Sequence, residues 1–212
     1  GVSVYEYYEN ECTKNSPFHV FSVTKSILSI LIGIAIDKGY IKSIHQPILD
    51  FFPDYIVKKR EKTIQSITLY HMMTMTAPYK YKYAPYTKYF TSEDWVKSSL
   101  DLLGGKGKIG EFRYAPVIGP DIFSGIIENT TAMTVLNFAK KYLFEPLEIE
   151  VPGDIIFHNK EEHSFAALGD GGNVIYINPK ENMVIIIASY FKPRVKDRMK
   201  LIKEYIEPMW KE

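Results

Sequence analysis

Ser22 and Lys25 stand three residues apart in the segment Phe21-Ser22-Val23-Thr24-Lys25-Ser26. On a helix this spacing puts a hydroxyl and an amine on one face, one turn apart. Serine is a weak nucleophile until a neighbouring base takes its proton. At a buried helix start, loss of solvent and the positive end of the helix dipole both disfavour an ammonium. A lysine so placed can accept a proton, and the serine beside it can then attack a carbonyl carbon. On an exposed helix the same two residues would be an ordinary polar pair, so the surrounding elements decide.

The run after the pair is apolar nearly all round: Ile27, Leu28, Ile30, Leu31, Ile32, Ile34, Ala35 and Ile36. It predicts a helix from Ser22 to Lys38, ~25 Å long at the standard rise. Ser22 suits the first position and Gly39 the stop. A membrane span wants about 20 mostly apolar residues. Lys25, Ser29, Gly33 and Asp37 interrupt this run, so it reads as a core helix carrying the reactive pair at its start.

Composition sets the frame. The 212 residues are 46% hydrophobic and 24% charged, as in ordinary globular proteins. A net charge of +1 gives no argument for nucleic acid or an anionic membrane as a bulk partner. Cys12 is the single cysteine, which leaves no internal disulfide framework. No secretory signal is visible, so the expected location is the cytoplasm, with a removed leader left open. No integral membrane segment, metal site or cofactor motif stands out, and nothing indicates an oligomeric state.

Val2 to Tyr8 reads as a strand. Ile48 to Phe52, between Pro47 and Pro53, reads as a short helix or turn. Thr68 caps a short helix with Leu69, Tyr70, Met72 and Met73, in which His71 reads as a buried, hydrogen-bonded residue. Tyr79 to Phe90 interleaves tyrosines with lysines. It reads as a loop whose rings pack while its ammonium groups stay wet; stacking on single-stranded nucleic acid is the alternative. Thr91 or Ser92 caps the next helix, through Trp95 to Leu103. Gly104 to Gly110 is a flexible turn and lacks the Gly-Lys-Ser/Thr ending of a phosphate loop. Helices follow over about Asp121–Glu128 and Val135–Leu143. Strands Ser164–Leu168, Val174–Ile177 and Met183–Ala188 are joined by short turns, which implies antiparallel pairing. A helix within Arg194–Trp210 lays its apolar face on that sheet.

This order predicts an α+β fold: an antiparallel sheet flanked by helices, with a helical lobe. One domain spans 1–212, its sheet lobe from about 1–40 and 160–212 and its helical lobe from about 41–150.

Together these segments resemble the serine β-lactamase and penicillin-binding-protein superfamily, and within it the class C-like hydrolases that include esterases and amide hydrolases. Ser22-Val23-Thr24-Lys25 matches the first motif, with the apolar helix behind it. Leu69-Tyr70-His71-Met72-Met73-Thr74-Met75-Thr76 resembles the stretch between the first two motifs. Tyr114-Ala115-Pro116 stands where many members have Tyr-x-Asn. Leu168-Gly169-Asp170-Gly171-Gly172 stands at the Lys-Thr-Gly or His-x-Gly position. The resemblance implies hydrolysis of an ester, amide or lactam through an acyl-enzyme on Ser22, with Lys25 and Tyr114 as bases and no cofactor or metal. It implies that the backbone N–H groups of Ser22 and Asp170 hold the oxyanion. Gly169 and Gly171 would let substrate approach, and the Asp170 carboxylate should point away. Pro116 departs from the pattern and favours an ester or small amide over a β-lactam or peptidoglycan. The chain is also short for the family, notably between Leu147 and Ser164. The alternative is a catalytically silent binding module on the same scaffold, recognising cell-wall or peptide ligands.

Overall fold

Leu28, Leu31, Ile32 and Ala35 recur at helical spacing and are buried along one face of helix α1 (Thr24–Asp37). The computed structural model that shows this describes residues 3–14, 16, 21–81, 89, 91–115, 118–149, 165–189 and 198–209. A 3₁₀ turn, Phe21–Val23, leads directly into α1. The helix stops where expected. Gly39 adopts φ 78°, a left-handed conformation that costs glycine little.

The chain divides into two compact units, one formed by Gly1–Thr24 with Asp154–Glu212 and the other by Lys25–Gly153. The second unit is helical. After α1 come α2 (Leu69–Met73), α3 (Trp95–Leu102), α4 (Ile118–Thr131) and α5 (Val135–Ala139), the last continued by a π turn, Lys140–Phe144. Ile48–Phe51 forms a 3₁₀ turn. Beyond α1, the Tyr40 ring meets Phe138 of α5 edge-on at 6.0 Å, and its hydroxyl lies 3.2 Å from that of Tyr142.

The cap of α3 differs from expectation. Asp94, rather than Thr91 or Ser92, accepts from the N–H of Lys97 at 2.8 Å. Ser92 Oγ instead accepts from the Asp94 N–H at 3.3 Å, one step further out. Three closely spaced candidate cap residues, Thr91, Ser92 and Asp94, leave local sequence unable to choose among them.

Gly125 lets α3 approach α4 closely. A Cβ there would meet Val96 Cγ1 at 2.8 Å and Phe52 Cε1 at 3.0 Å. Both neighbours are short or ring atoms inside a packed layer. Gly125→Ala should therefore destabilise the protein by about 1–3 kcal/mol, despite alanine's better helix propensity. The check is a lowered urea midpoint at unchanged slope.

The first unit holds the sheet. Strands β1 (Phe165–Gly169), β2 (Asn173–Asn178) and β3 (Met183–Ile187) form an antiparallel meander in the order β1-β2-β3. Gly169 pairs with Asn173 and Asn178 with Met183, so each connection is a short turn. Alternation puts Val174, Tyr176, Met183, Ile185 and Ile187 on one face, packed with Met199, Ile202 and Ile206. Those last residues belong to a helical run made of α6 (Arg198–Leu201), a π turn (Ile202–Ile206) and α7 (Glu207–Met209).

The strand expected at Val2–Tyr8 does not form over residues 3–8. Val4, Tyr5, Tyr7 and Tyr8 are exposed, and among the described residues the three strands pair only with one another. Valine and tyrosine favour a strand only where a sheet edge receives their backbone groups. No helix among the described residues is long and apolar enough to cross a membrane.

Candidate active site

In the helical unit the motif residues Lys25 and Tyr114 come together. Lys25 Nζ lies 5.9 Å from the centroid of the Tyr114 ring, within the ~6 Å at which a cation is attracted to an aromatic face. Lys25 occupies the first turn of α1 and is half-buried; Tyr114 is 54% exposed. Next to Lys25, Ser26 is buried, and its hydroxyl has no hydrogen-bond partner among the described residues.

Tyr114 is held by its neighbours in the chain. The N–H of Arg113 donates to Met75 O at 2.7 Å, and that of Gly110 to Thr76 O at 2.9 Å. These bonds lace residues 110–113 to the end of α2, where Met75 turns the chain at φ 54°. The Arg113 guanidinium donates to Tyr79 O at 3.3 Å and to Tyr81 O, and lies over both rings at 5.7 and 5.0 Å. Ala115, on the other side of Tyr114, is buried. Pro116 lies outside the described residues.

The start of α2 is fixed by its histidine. Thr68 N–H donates to His71 Nδ1 at 3.1 Å, and Thr68 Oγ1 lies 3.0 Å from the same nitrogen. Burial, with the His45 charge adding to it, holds His71 below the ordinary histidine value. The ring is therefore neutral at pH 7, and Nδ1 accepts the N–H. This is the structural, hydrogen-bonded role expected of His71.

In the sheet unit the turn that carries Ser22 packs against β1. The residue before it, Phe21, has φ 51°. For a bulky residue that backbone is an outlier, and strain of this kind, worth on the order of 1–3 kcal/mol, gathers at functional sites. Downstream of β1 the turn Asp170–Gly172 takes the chain into β2. Gly171 adopts φ 81° and ψ −2°, which a residue with a Cβ rarely does. Ser189 braces the turn, its N–H donating to Asn173 Oδ1 at 3.0 Å and its hydroxyl to Gly172 O at 2.9 Å. The orientation expected of the Asp170 carboxylate falls outside what is described.

Sequence reasoning missed three features here. The left-handed backbone at Phe21 has no local signal, since phenylalanine is not a residue that favours it. Arg113 was visible only as a charged residue before the motif tyrosine. Asp121, in the first turn of α4, is pushed up to about 6 by burial. Nothing in its local sequence distinguishes it from a helix-start carboxylate in contact with water.

The family pattern described as Beta-lactamase matches residues 1–153 of the chain. This chain belongs to the beta-lactamase family. The match takes in Ser22, Lys25 and Tyr114, whereas the β1–β2 hairpin lies beyond it. For that part of this beta-lactamase family member the likeness is structural. A candidate beta-lactamase from Bacteroides dorei DSM 17855 superposes with a TM-score of 0.71 at 12% identity, over 99% of this chain and 90% of its own. A candidate 6-aminohexanoate-dimer hydrolase from Bacillus anthracis superposes at 0.66 and 15% identity, over 97% of this chain and 75% of its own. A penicillin-binding-protein homologue from Caulobacter crescentus is 19% identical over 61% of this chain, with a TM-score of 0.47. The chain spans 34% of that longer relative. No curated protein matches. At these identities the superpositions speak to fold, and the fold is the α+β one expected from the order of elements, with the β-lactamase/transpeptidase-like architecture that the resemblance implies.

Proposed function

We propose that the protein is a serine hydrolase that cleaves an ester, amide or lactam through an acyl-enzyme on Ser22. One observation supports the reading most: the amine of Lys25, three residues beyond Ser22 in the chain, lies against the ring of the motif tyrosine, Tyr114. Ser22 Oγ attacks the carbonyl carbon, and its proton passes to Lys25, alone or with the Tyr114 phenol. Such a base contributes typically about 10²–10⁴-fold. The tetrahedral oxyanion is held by the N–H groups of Ser22 and Asp170. Losing one donor of this kind costs roughly 3 kcal/mol. The proton returns to the leaving group as it departs. Water, activated by the same base, then releases the acid and restores Ser22.

The strained Phe21 backbone supports the reading, because it holds the chain beside Ser22 where a free chain would not stay; Gly171 lets the turn after β1 take a left-handed backbone without a side chain. Pro116, in place of an amide side chain, points to a simple ester or small amide as substrate.

An acylating or fluorophosphonate probe should add its mass to intact protein at the peptide containing Ser22, and Ser22→Ala should take no label. Folded wild-type protein that resists several probe classes would overturn the reading. The exposure of Tyr114 favours a second reading, a silent binding module. It gains if ligand binding persists in Ser22→Ala while no turnover is measurable in wild type.

A further inference from the structure

A cavity in the helical unit is lined by residues that the proposed hydrolysis does not use. Tyr79, Lys80, Tyr81, Gly105, Lys106, Gly107 and Arg113 line a space of about 640 Å³. The Tyr79 and Tyr81 rings lie 5.7 Å apart and tilted by 32°, Tyr79 buried and Tyr81 half-buried. The Arg113 guanidinium lies over both. Gly105 and Gly107 supply backbone without side chains. A Cβ on Gly107 would meet Pro78 Cβ at 2.8 Å, and one on Gly105 would meet Lys80 Cγ at 3.1 Å.

The charge of the lining is one-sided. Among the described residues it contains two lysines and an arginine and no carboxylate. Glu61 answers Lys80 from behind: its Oε2 lies 3.4 Å from Lys80 Nζ and accepts the Gly105 N–H at 3.0 Å. Lys80 Nζ also donates to Asp101 O at 3.1 Å. That ammonium is therefore committed to the framework. The Arg113 fork holds the carbonyls of Tyr79 and Tyr81. Lys106 is exposed and makes no ion pair among the described residues. The cavity thus joins tyrosine faces and bare backbone, which suit a flat apolar group, to a cationic rim.

We infer that this cavity is a binding site for aromatic carboxylates, with the ring against Tyr81 and the glycine backbone and the carboxylate at Lys106. Arg113 supplies field and shape, and Lys106 makes the direct contact. The site begins one residue from Tyr114, yet the binding does not depend on acyl-enzyme chemistry.

Benzoate, benzamide and acetate separate the contributions of charge and ring. Titrated into ¹⁵N-labelled protein, benzoate should shift the amides of Tyr81, Gly105, Lys106 and Gly107 at millimolar concentration. Benzamide and acetate should each bind at least tenfold more weakly. Lys106→Glu, on an exposed side chain, should weaken benzoate at least fivefold and leave benzamide unchanged. Shifts centred elsewhere, benzamide binding as tightly as benzoate, or benzoate affinity unchanged in Lys106→Glu would each overturn the site. Probe labelling of Ser22 on the same protein is read independently: labelled protein without benzoate shifts loses this site and keeps the hydrolase.

Discussion

Lys25→Ala should slow acylation of Ser22 by about 10²–10⁴-fold, the usual contribution of a positioned general base. The fold should survive, because Lys25 is half-buried in the first turn of α1 and alanine is the best helix former. Two further variants separate the roles. Lys25→Arg keeps a cation near the Tyr114 ring but cannot give up its proton in the physiological range. If the amine acts as base, arginine should be as inactive as alanine. If it acts only as a positive charge, arginine should restore much of the rate. Tyr114→Phe keeps the ring and its 5.9 Å contact with Lys25 and removes the phenol. A loss in Tyr114→Phe would assign the phenol a share in proton transfer, and an unchanged rate would leave the tyrosine as a cushion for the ammonium. The readout is the time course of probe adduct by intact mass, with circular dichroism as the control for folding. Full labelling of Lys25→Ala at the wild-type rate would remove the lysine from the mechanism.

How much of this could be read from the chain depends on how local the cause is. The apolar run of α1 and its glycine stop are written in neighbouring residues; the structure has both, but the helix begins at Thr24 rather than Ser22 and leaves Ile30 exposed. The three strands were legible because Gly169-Asp170-Gly171-Gly172 and Asn178-Pro179-Lys180-Glu181-Asn182 are turn sequences between apolar runs. Their pairing follows from turn length, and the observed register agrees. The failures share a different origin. Residues 3–8 have strand propensity, but a strand is made by a partner elsewhere in the chain. The α3 cap was one choice among Thr91, Ser92 and Asp94, settled by the hydrogen bond to Lys97. The positions of Arg113 against Tyr79 and Tyr81, and of Lys25 against Tyr114, join residues 32 to 89 apart. Motif order suggests that such residues meet; only folded geometry says that Lys25 faces the ring of Tyr114.

Glu207→Gln should destabilise the protein by about 1–3 kcal/mol at neutral pH, the range for losing hydrogen bonds to a buried charged group. Glu207 is buried where the C-terminal helical run meets the sheet. Its Oε1 accepts from the fully buried Tyr176 hydroxyl and from Asn178 Nδ2 at 3.0 Å. Lys203 Nζ lies 3.3 Å from Oε2 and donates to the Tyr176 hydroxyl at 3.0 Å. Burial alone would push the carboxyl up, but bonds from Tyr176, Asn178 and Lys203, with the Lys203 charge, bring it below the ordinary glutamate value. The sign of the pH effect follows. A depressed folded-state pKa stabilises the fold above the unfolded value of 4.5, and that stability is lost as pH falls through the folded value. Wild type should therefore lose stability below about pH 4.5 through this group. The glutamine variant should be flatter across that window, so the two curves converge in acid. The amide also turns donor hydrogens toward Lys203, so part of the loss is a new mismatch rather than a missing bond. Tyr176→Phe and the double variant close a mutant cycle around the phenol–carboxylate bond. A coupling near zero, or a constant gap between wild type and Glu207→Gln from pH 7 down to pH 3, would mean that the carboxylate is spectator to the helix–sheet junction.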